Sequence, residues 1–252
     1  MKYEPTMSET NKRAVIVGAT SGIGYEVAKL LVSEGWRIGI AGRREEKLKM
    51  LQSLSPDRIC YRVLDVRQPE AEQALRNLID DLGGMDLYFH SSGIGHQNFS
   101  LNPDIELDTV ETNAAGFVRL TTAAFRYFCQ QPKGHIAVIS SIAGTKGLGI
   151  APAYSATKRF QNIYLDALEQ SARMHHADIR FTDIRPGFVA TGLLSDGKHY
   201  PLMMSPQKVA QHIVRALKRR KRIAVIDWHY RLLVFFWRLI PRSLWKRLTI
   251  RN

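Results

Sequence analysis

The sequence predicts an α/β fold: a seven-stranded parallel sheet, doubly wound, in a single domain with a C-terminal amphipathic helical extension. Three observations predict it. Short β-branched apolar runs alternate with stretches of helical spacing from residue 13 to residue 226, as in successive βαβ units. A glycine-rich turn joins the first run directly to the first helix. With 252 residues, 45% of them hydrophobic, the chain is long enough for one such domain with a large core.

The elements follow in order. Arg13-Ala-Val-Ile-Val17 reads as a buried strand, almost wholly apolar. Gly18-Ala-Thr-Ser-Gly22-Ile-Gly24 follows at once. Residues 25–34 then carry apolar side chains at Val27, Leu30 and Leu31, with Gly35 placed to end the helix. Strands two to seven are expected at 37–41, 59–64, 86–89, 136–140, 179–184 and 223–226. Helices are expected near 45–53, 69–82, 106–130, 153–174 and 206–220. No linker, repeat or low-complexity tract breaks this series, so residues 12–227 form one domain and 228–252 a basic, aromatic extension. Residues 1–11 are polar.

A strand, a glycine loop and a helix in succession make a dinucleotide site. Gly18 permits the tight turn, and Gly22 and Gly24 let the backbone approach a pyrophosphate and the helix pack on the strand. The helix N-terminus offers free N–H groups and the positive end of its dipole. Further on, Tyr154-x-x-x-Lys158 places a phenol and an ammonium one helical turn apart on one face. A phenol titrates near pH 10 when unperturbed, and a fixed positive charge lowers that value. A tyrosine so tuned gives a proton to a carbonyl oxygen, or takes one from an alcohol, near neutral pH. Ser141 ends the fifth strand and can set a hydroxyl beside the same oxygen; its neighbour Ser140 is a rival, and spacing favours Ser141. Alone, the tyrosine–lysine spacing also fits a helix with a solvated lysine.

Gly18-x-x-x-Gly22-x-Gly24, Asn113, Ser141, Tyr154 and Lys158, in this order and spacing, resemble the classical short-chain dehydrogenases/reductases. Pro186-Gly187-Phe-Val-Ala-Thr191 is similar to a further motif of that family, and the resemblance covers residues 12 to 226. It implies a Rossmann-like fold and hydride transfer between a nicotinamide and a carbonyl or alcohol carbon. It implies that Tyr154 donates the proton, Ser141 orients the oxygen, Lys158 lowers the tyrosine pKa and holds the nicotinamide ribose, and Asn113 binds a water linking Lys158 to solvent. The cofactor would be held by Gly18, Thr20, Ser21, Gly22, Ile23 and Gly24, by Asp65 and Val66 at the adenine, and by Ser92 and Gly93 after strand four. Tyr154, Lys158, Pro186, Gly187, Val189 and Thr191 complete the set, with Thr191 at the carboxamide. Two departures stand out: Val17 where the family has Thr, and His90-Ser-Ser-Gly93 where it has Asn-Asn-Ala-Gly. They leave the roles of His90, Ser91 and Ser92 open, a structural histidine being favoured over a polar role near the cofactor.

The second strand ends Ala41-Gly42-Arg43-Arg44, with two guanidiniums where an acid would select NAD. Arginine matches a phosphate by bidentate geometry and permanent charge, so NADP(H) is expected in preference to NAD(H); the alternative is that both arginines point to water. Loops after strands four, five and six should line the substrate pocket: Ile94, Gly95 and His96; Ile142 to Thr145 and Leu148; Phe188, Leu193, Leu194 and Tyr200. They are mostly apolar, which suits a hydrophobic ketone or alcohol. The glycine- and proline-bearing segment 192–205 reads as a lid.

From His212 onward, twelve Lys or Arg face one acid, Asp227, so this stretch carries nearly all of the chain's net charge of +13. Lys218-Arg-Arg-Lys-Arg222 is a basic turn, and Arg231, Arg238, Arg242 and Lys246 form a polar stripe beside a broad apolar, aromatic face. The apolar run 232–237 is far shorter than the ~20 residues of a membrane span. The extension can rest on an anionic membrane surface, cover a core edge, cap the substrate cleft or pack on another subunit in a homodimer or homotetramer. If it touches lipid, a long-chain 3-keto compound such as 3-ketosphinganine becomes an attractive substrate. No nucleic acid is expected, because the charge is local and the apolar face suits lipid or protein better. Cys60 and Cys129 suggest no disulfide, no His/Cys cluster suggests a metal, and no apolar leader is present, which fits a cytoplasmic protein, peripherally membrane-associated if the extension binds lipid. The alternative class, a non-catalytic NADP-binding, membrane- or partner-binding regulatory protein on the same fold, would be expected to lose Tyr154 or Lys158, and both are present.

Overall fold

A computed structural model describes residues 12–192 and 200–250. Seven strands run parallel: β1 (Arg13–Val17), β2 (Arg37–Gly42), β3 (Ile59–Val63), β4 (Leu87–His90), β5 (Gly134–Ile139), β6 (Ile179–Arg185) and β7 (Ile223–Val225). Their spatial order is β3-β2-β1-β4-β5-β6-β7. The chain winds outward one way from β1 to β3, then returns to the middle and winds the other way from β4 to β7. The reversal lies between β1 and β4, where Val17 pairs with His90. At such a switch point the connecting loops diverge and open a crevice at the carboxyl edge of the sheet.

Burial on both faces explains the continuous apolar strands. On β1, Ala14 and Ile16 enter one core with α1 (Gly22–Ser33) and α7 (Pro206–Lys218); Val15 and Val17 enter the other with α3 (Ala71–Leu82) and α5 (Phe117–Phe128). The remaining helices are α2 (Glu45–Gln52), α4 (Pro103–Val110) and α6 (Pro152–Met174), then α8 (Trp228–Leu239) and α9 (Arg242–Trp245) in the extension. Ser205 begins α7 with its hydroxyl accepting from the Lys208 N–H at 3.3 Å, and Pro206 holds the first helical position.

Two elements differ from the sequence reading. α1 starts at Gly22, not Tyr25, so Gly22 and Gly24 form its first turn; it ends as expected, with Gly35 left-handed at φ 87°. The single helix expected over 106–130 is three pieces: α4, a π-helical turn over Glu111–Gly116, and α5. Such bulges recur at functional sites, and this one buries Asn113 completely.

The extension is part of the fold. Tyr230 and Val234 are buried with the core on the β1 face that also holds Ile16. Gly187 lies so close to the Tyr230 ring that a Cβ there would stand 2.1 Å from Cζ.

Candidate active site

The glycine loop is built by close approach. Gly18 has φ 91°, and a Cβ on it would meet the Ser92 nitrogen at 2.5 Å. A Cβ on Gly24 would stand 2.3 Å from the Gly18 carbonyl oxygen, so α1 packs directly on the turn. Ser21 caps α1 without a side-chain bond to the first-turn N–H groups; its hydroxyl instead accepts from Arg44 Nη2 at 2.7 Å. The same guanidinium reaches Thr20 Oγ1 at 2.8 Å. Arg44 therefore folds across the loop, and Arg43 lies exposed beside it. Ile23 is half-buried against the core, and a Cβ on Gly22 would stand 3.2 Å from Thr191 Cγ2, which brings the motif after β6 to the start of α1.

After β3, Asp65 is clamped by the Arg67 guanidinium, at 2.8 Å from Nη2 to Oδ2, and its carboxyl is held below the usual range chiefly by that bond. Val66 is buried. After β4, the Ser91 N–H donates to the Val17 carbonyl at 2.8 Å, so the β1–β4 tie is made by backbone where the expected Thr and Asn are missing. His90 is fully buried beside the Tyr88 hydroxyl, its Nδ1 2.8 Å away. Burial, then the charge of Lys158, pushes it down to about 3. It stays neutral at physiological pH and is a structural histidine.

The chemistry gathers between β5 and α6. Ser141 continues from β5 with an extended backbone, and its Oγ accepts from the Ala143 N–H at 3.1 Å. It faces the Tyr154 phenol and favours its ionised form. Ser140, the rival, points away into a buried network with Asp183 and Asn162. Tyr154 lies on the first turns of α6, against Gly95, where a Cβ would stand 2.5 Å from its ring. Lys158 is only 4% exposed, and its Nζ lies 5.8 Å from the Tyr154 ring centre. It donates to the Ile139 carbonyl at 2.9 Å and to Gln161 Oε1 at 3.2 Å.

The tyrosine pKa is raised, not lowered as expected. Burial pushes the Tyr154 phenol up, and the Ser141 hydrogen bond works against that rise. Lys158 is itself buried, which pushes it down to about 8, with the Asp183 charge acting the other way. A lysine whose folded pKa lies below its ordinary 10.5 destabilises the fold by its buried charge at neutral pH; that cost is relieved as pH rises through the window from about 8 to 10.5. The useful form of Lys158 is the charged one. Any activity that uses the charged form is therefore expected to fall as pH rises through about 8; a kcat/KM profile flat to about pH 10 would contradict this.

Residues 12–199 match the profile of the short chain dehydrogenase family. The chain belongs to that family. Dehydrogenase/reductase SDR family member 7B of Xenopus tropicalis is 33% identical over 252 residues, covering 90% of this chain and 81% of that protein. An uncharacterized oxidoreductase of Staphylococcus aureus (strain USA300) is 30% identical over 227 residues, covering 86% and 95%. Among solved structures, an actinorhodin polyketide ketoreductase variant with NADPH aligns at TM-score 0.76 and 24% identity, covering 86% of this chain and 96% of that one. The closed form of serine dehydrogenase complexed with NADP+ aligns at TM-score 0.76 and 23% identity, covering 85% and 94%. These two likenesses concern the fold.

Within this oxidoreductase family, the chain brings Ser141, Tyr154 and Lys158 together and sets Asn113 beside them. The Asn113 side chain is engaged with its own scaffold: Oδ1 accepts from the Ile94 N–H at 2.8 Å, and Nδ2 donates to the Ile94 carbonyl at 2.7 Å. Its main-chain carbonyl accepts from Gln161 Nε2 at 2.9 Å. Gln161 thus bridges Lys158 and Asn113, a role the sequence reading missed. The signal was present: Tyr154, Lys158 and Gln161 fall at positions 0, 4 and 7 of one helical face. Glu106 was missed too; Oε2 accepts from the Ala153 N–H at 2.8 Å and secures the start of α6.

The pocket loops meet above this centre. Gln97 Nε2 lies 3.3 Å from the Tyr200 hydroxyl, and Tyr200 packs on Phe188 with ring centres 4.8 Å apart. Ile142 and Ala143 are buried, and His96 is exposed. Val189 pairs with Met204 beyond β6, and the Pro186 carbonyl accepts from the Ile142 N–H at 3.1 Å. Leu193, Leu194 and Gly197, expected in the pocket and lid, lie outside the described residues.

Proposed function

We propose that the protein is an NADP(H)-dependent carbonyl reductase or alcohol dehydrogenase acting on a hydrophobic ketone or secondary alcohol. One observation carries this: Tyr154 stands with the buried Ser141 beside its phenol and the buried ammonium of Lys158 5.8 Å from its ring centre.

The residues fit a nicotinamide dinucleotide. The start of α1 offers N–H groups that no side chain caps, and no carboxylate intervenes between β2 and the two arginines. Gly18 to Gly24 would lie along the pyrophosphate, Arg43 and Arg44 would hold the extra phosphate of NADP, Asp65 and Val66 the adenine end, and Ser92, Gly93, Pro186, Gly187, Val189 and Thr191 the remainder. The NADPH and NADP+ named for the two structural neighbours agree with this reading. When bound, the nicotinamide supplies or accepts the hydride. Tyr154 Oη delivers the proton to the developing alkoxide, and Ser141 Oγ donates to the same oxygen and orients it. A raised phenol pKa keeps Tyr154 protonated for reduction. Lys158 stabilises the phenolate that is left, and Gln161 and the Ile139 carbonyl hold its ammonium in place.

Phe188, Tyr200 and Ile142 favour an apolar substrate, and the lining singles out no particular lipid, 3-ketosphinganine included. Leu107 and Val110 on α4, with Phe160 and Ile163 on α6, stay exposed and apolar, which suits a homodimer or homotetramer face. The test is NADPH oxidation against ketones of increasing chain length. An Arg43→Ala/Arg44→Ala protein is expected to lose its preference for NADPH over NADH by about 10- to 100-fold in kcat/KM. An unchanged ratio would remove the NADP assignment and leave the reductase intact.

A further inference from the structure

The segment 228–250 lies beyond the part of the chain that matches the family profile, which ends at 199. α8 has two apolar faces. The inner face is used by the fold: Tyr230, Leu233 and Val234 pack with the core, and Trp237 meets Trp245 with ring centres 5.5 Å apart. The outer face carries Trp228, Leu232, Phe235 and Leu239, spaced four, three and four residues apart and so aligned in one stripe, with Phe236 at its edge. All are exposed, Trp228 at 59%, Phe235 at 57% and Leu239 at 63%. A helix apolar on both sides is ordinarily covered on both.

The inner face also fixes where this stripe sits. The Tyr230 hydroxyl accepts from the Phe188 N–H at 3.1 Å and lies 3.0 Å from the Leu202 carbonyl, to which it donates. The Trp245 indole donates to the Gly147 carbonyl at 2.7 Å, and Lys146 Nζ donates to the Ile240 carbonyl at 2.7 Å. α8 and α9 thus fasten the loops after β5 and β6, the two that flank the cleft above Tyr154. Leu202, whose carbonyl Tyr230 holds, and its neighbour Met203 are exposed and apolar as well.

The charge around the stripe has one sign. Arg231 and Arg238 run along its edge, and Arg242, Lys246 and Arg247 follow, all exposed. In this stretch the one acid is Asp227, which is already engaged by the His229 N–H at 2.9 Å. A second copy of the chain docked here by symmetry would bring this cationic face against itself. An anionic lipid surface answers both features, with rings and leucines at the headgroup–acyl boundary and guanidiniums on phosphates. Among the described residues no helix is long and apolar enough to cross a membrane, and the 12 residues of α8 reach only about 18 Å.

We infer that α8 and α9 seat the protein on an anionic lipid surface through Trp228, Leu232, Phe235 and Leu239, with the mouth of the cleft turned toward that surface. The consequence for substrate, a ketone or alcohol that partitions into lipid, rests on the proposed reductase function; the seating does not.

The test is co-sedimentation of the full chain, without cofactor or substrate, with phosphatidylcholine vesicles and with phosphatidylcholine–phosphatidylglycerol vesicles. Binding is expected to the anionic vesicles only and to weaken with salt. Leu232→Ser/Phe235→Ser/Leu239→Ser should lower the partition coefficient tenfold or more, roughly, by loss of buried apolar area. Arg231→Ala/Arg238→Ala should lower it about fivefold for each arginine. All three side chains of the first variant are exposed, so circular dichroism and thermal unfolding should be unchanged. Failure of the wild-type chain to bind anionic vesicles, equal binding by the serine variant, or a stripe that instead controls oligomer mass in light scattering would each overturn the inference. Loss of ketone reduction with binding intact would count against the reductase alone.

Discussion

A Tyr154→Phe protein is expected to fold normally and to lose carbonyl reduction by about 10²- to 10⁴-fold in kcat, the usual contribution of a positioned general acid. The substitution removes one oxygen from a half-buried ring whose hydroxyl faces Ser141. Its ring packing on Gly95 remains, so thermal unfolding should move little. Cofactor affinity, measured by fluorescence of bound NADPH, should also be kept, because the ring stays in place and the glycine loop and the arginines are untouched. Full turnover by this variant on an identified substrate would sink the catalytic assignment. Loss of turnover together with loss of cofactor binding would place Tyr154 in the binding site instead of the proton path. A Ser141→Ala protein bears on the same step but leaves the phenol in place, so its expected loss is smaller, about 10²-fold.

Much of this was legible before any coordinates. Periodicity located all seven strands to within one or two residues, most plainly β1 and β4, which are apolar runs buried on both faces. The glycine loop was legible because close approach admits no side chain at Gly18 or Gly24. What escaped was tertiary in origin. One extra residue per turn over Glu111–Gly116 leaves the apolar spacing nearly unchanged, yet it turns Asn113 inward to Ile94. The direction of the Tyr154 shift is not legible in the sequence, because spacing reveals a neighbouring charge and not the burial that raises the phenol. The Arg stripe of the extension was visible, but helical spacing alone does not say which of two apolar faces meets the protein. Tyr230 decides that, and only the close contact with Gly187 reveals it.

Asp183 and Arg185 had a signal that went unread: two opposite charges at alternate positions of one strand face the same way and, once buried, need a partner. They are each other's. Arg185 donates from Nε at 2.8 Å and from Nη2 at 2.6 Å to Asp183 Oδ2, with the carboxylate fully buried and the guanidinium nearly so. Ser140 donates to Oδ1, and Asn162 donates to Oδ2 at 3.0 Å. Asp183→Asn keeps the shape, removes the charge and turns an amide donor toward a guanidinium that can only donate. Breaking a buried pair in this way costs about 3–5 kcal/mol, and at about 2–4 °C per kcal/mol for a chain of this size Tm should fall by about 10 °C. A surface ion pair would show almost none of this. The second readout is chemical. Asp183 is the anion that holds Lys158 up against its burial, so its loss should move the alkaline limb of kcat/KM to lower pH. Removing the arginine with the acid, as in Asp183→Leu/Arg185→Met, takes away the unpaired charge and should recover most of the lost Tm. The acid shift of the pH profile should persist in that double variant, because Lys158 still lacks its counter-charge. Recovery of Tm together with the original profile would mean that Asp183 serves the fold and not the ammonium behind Tyr154.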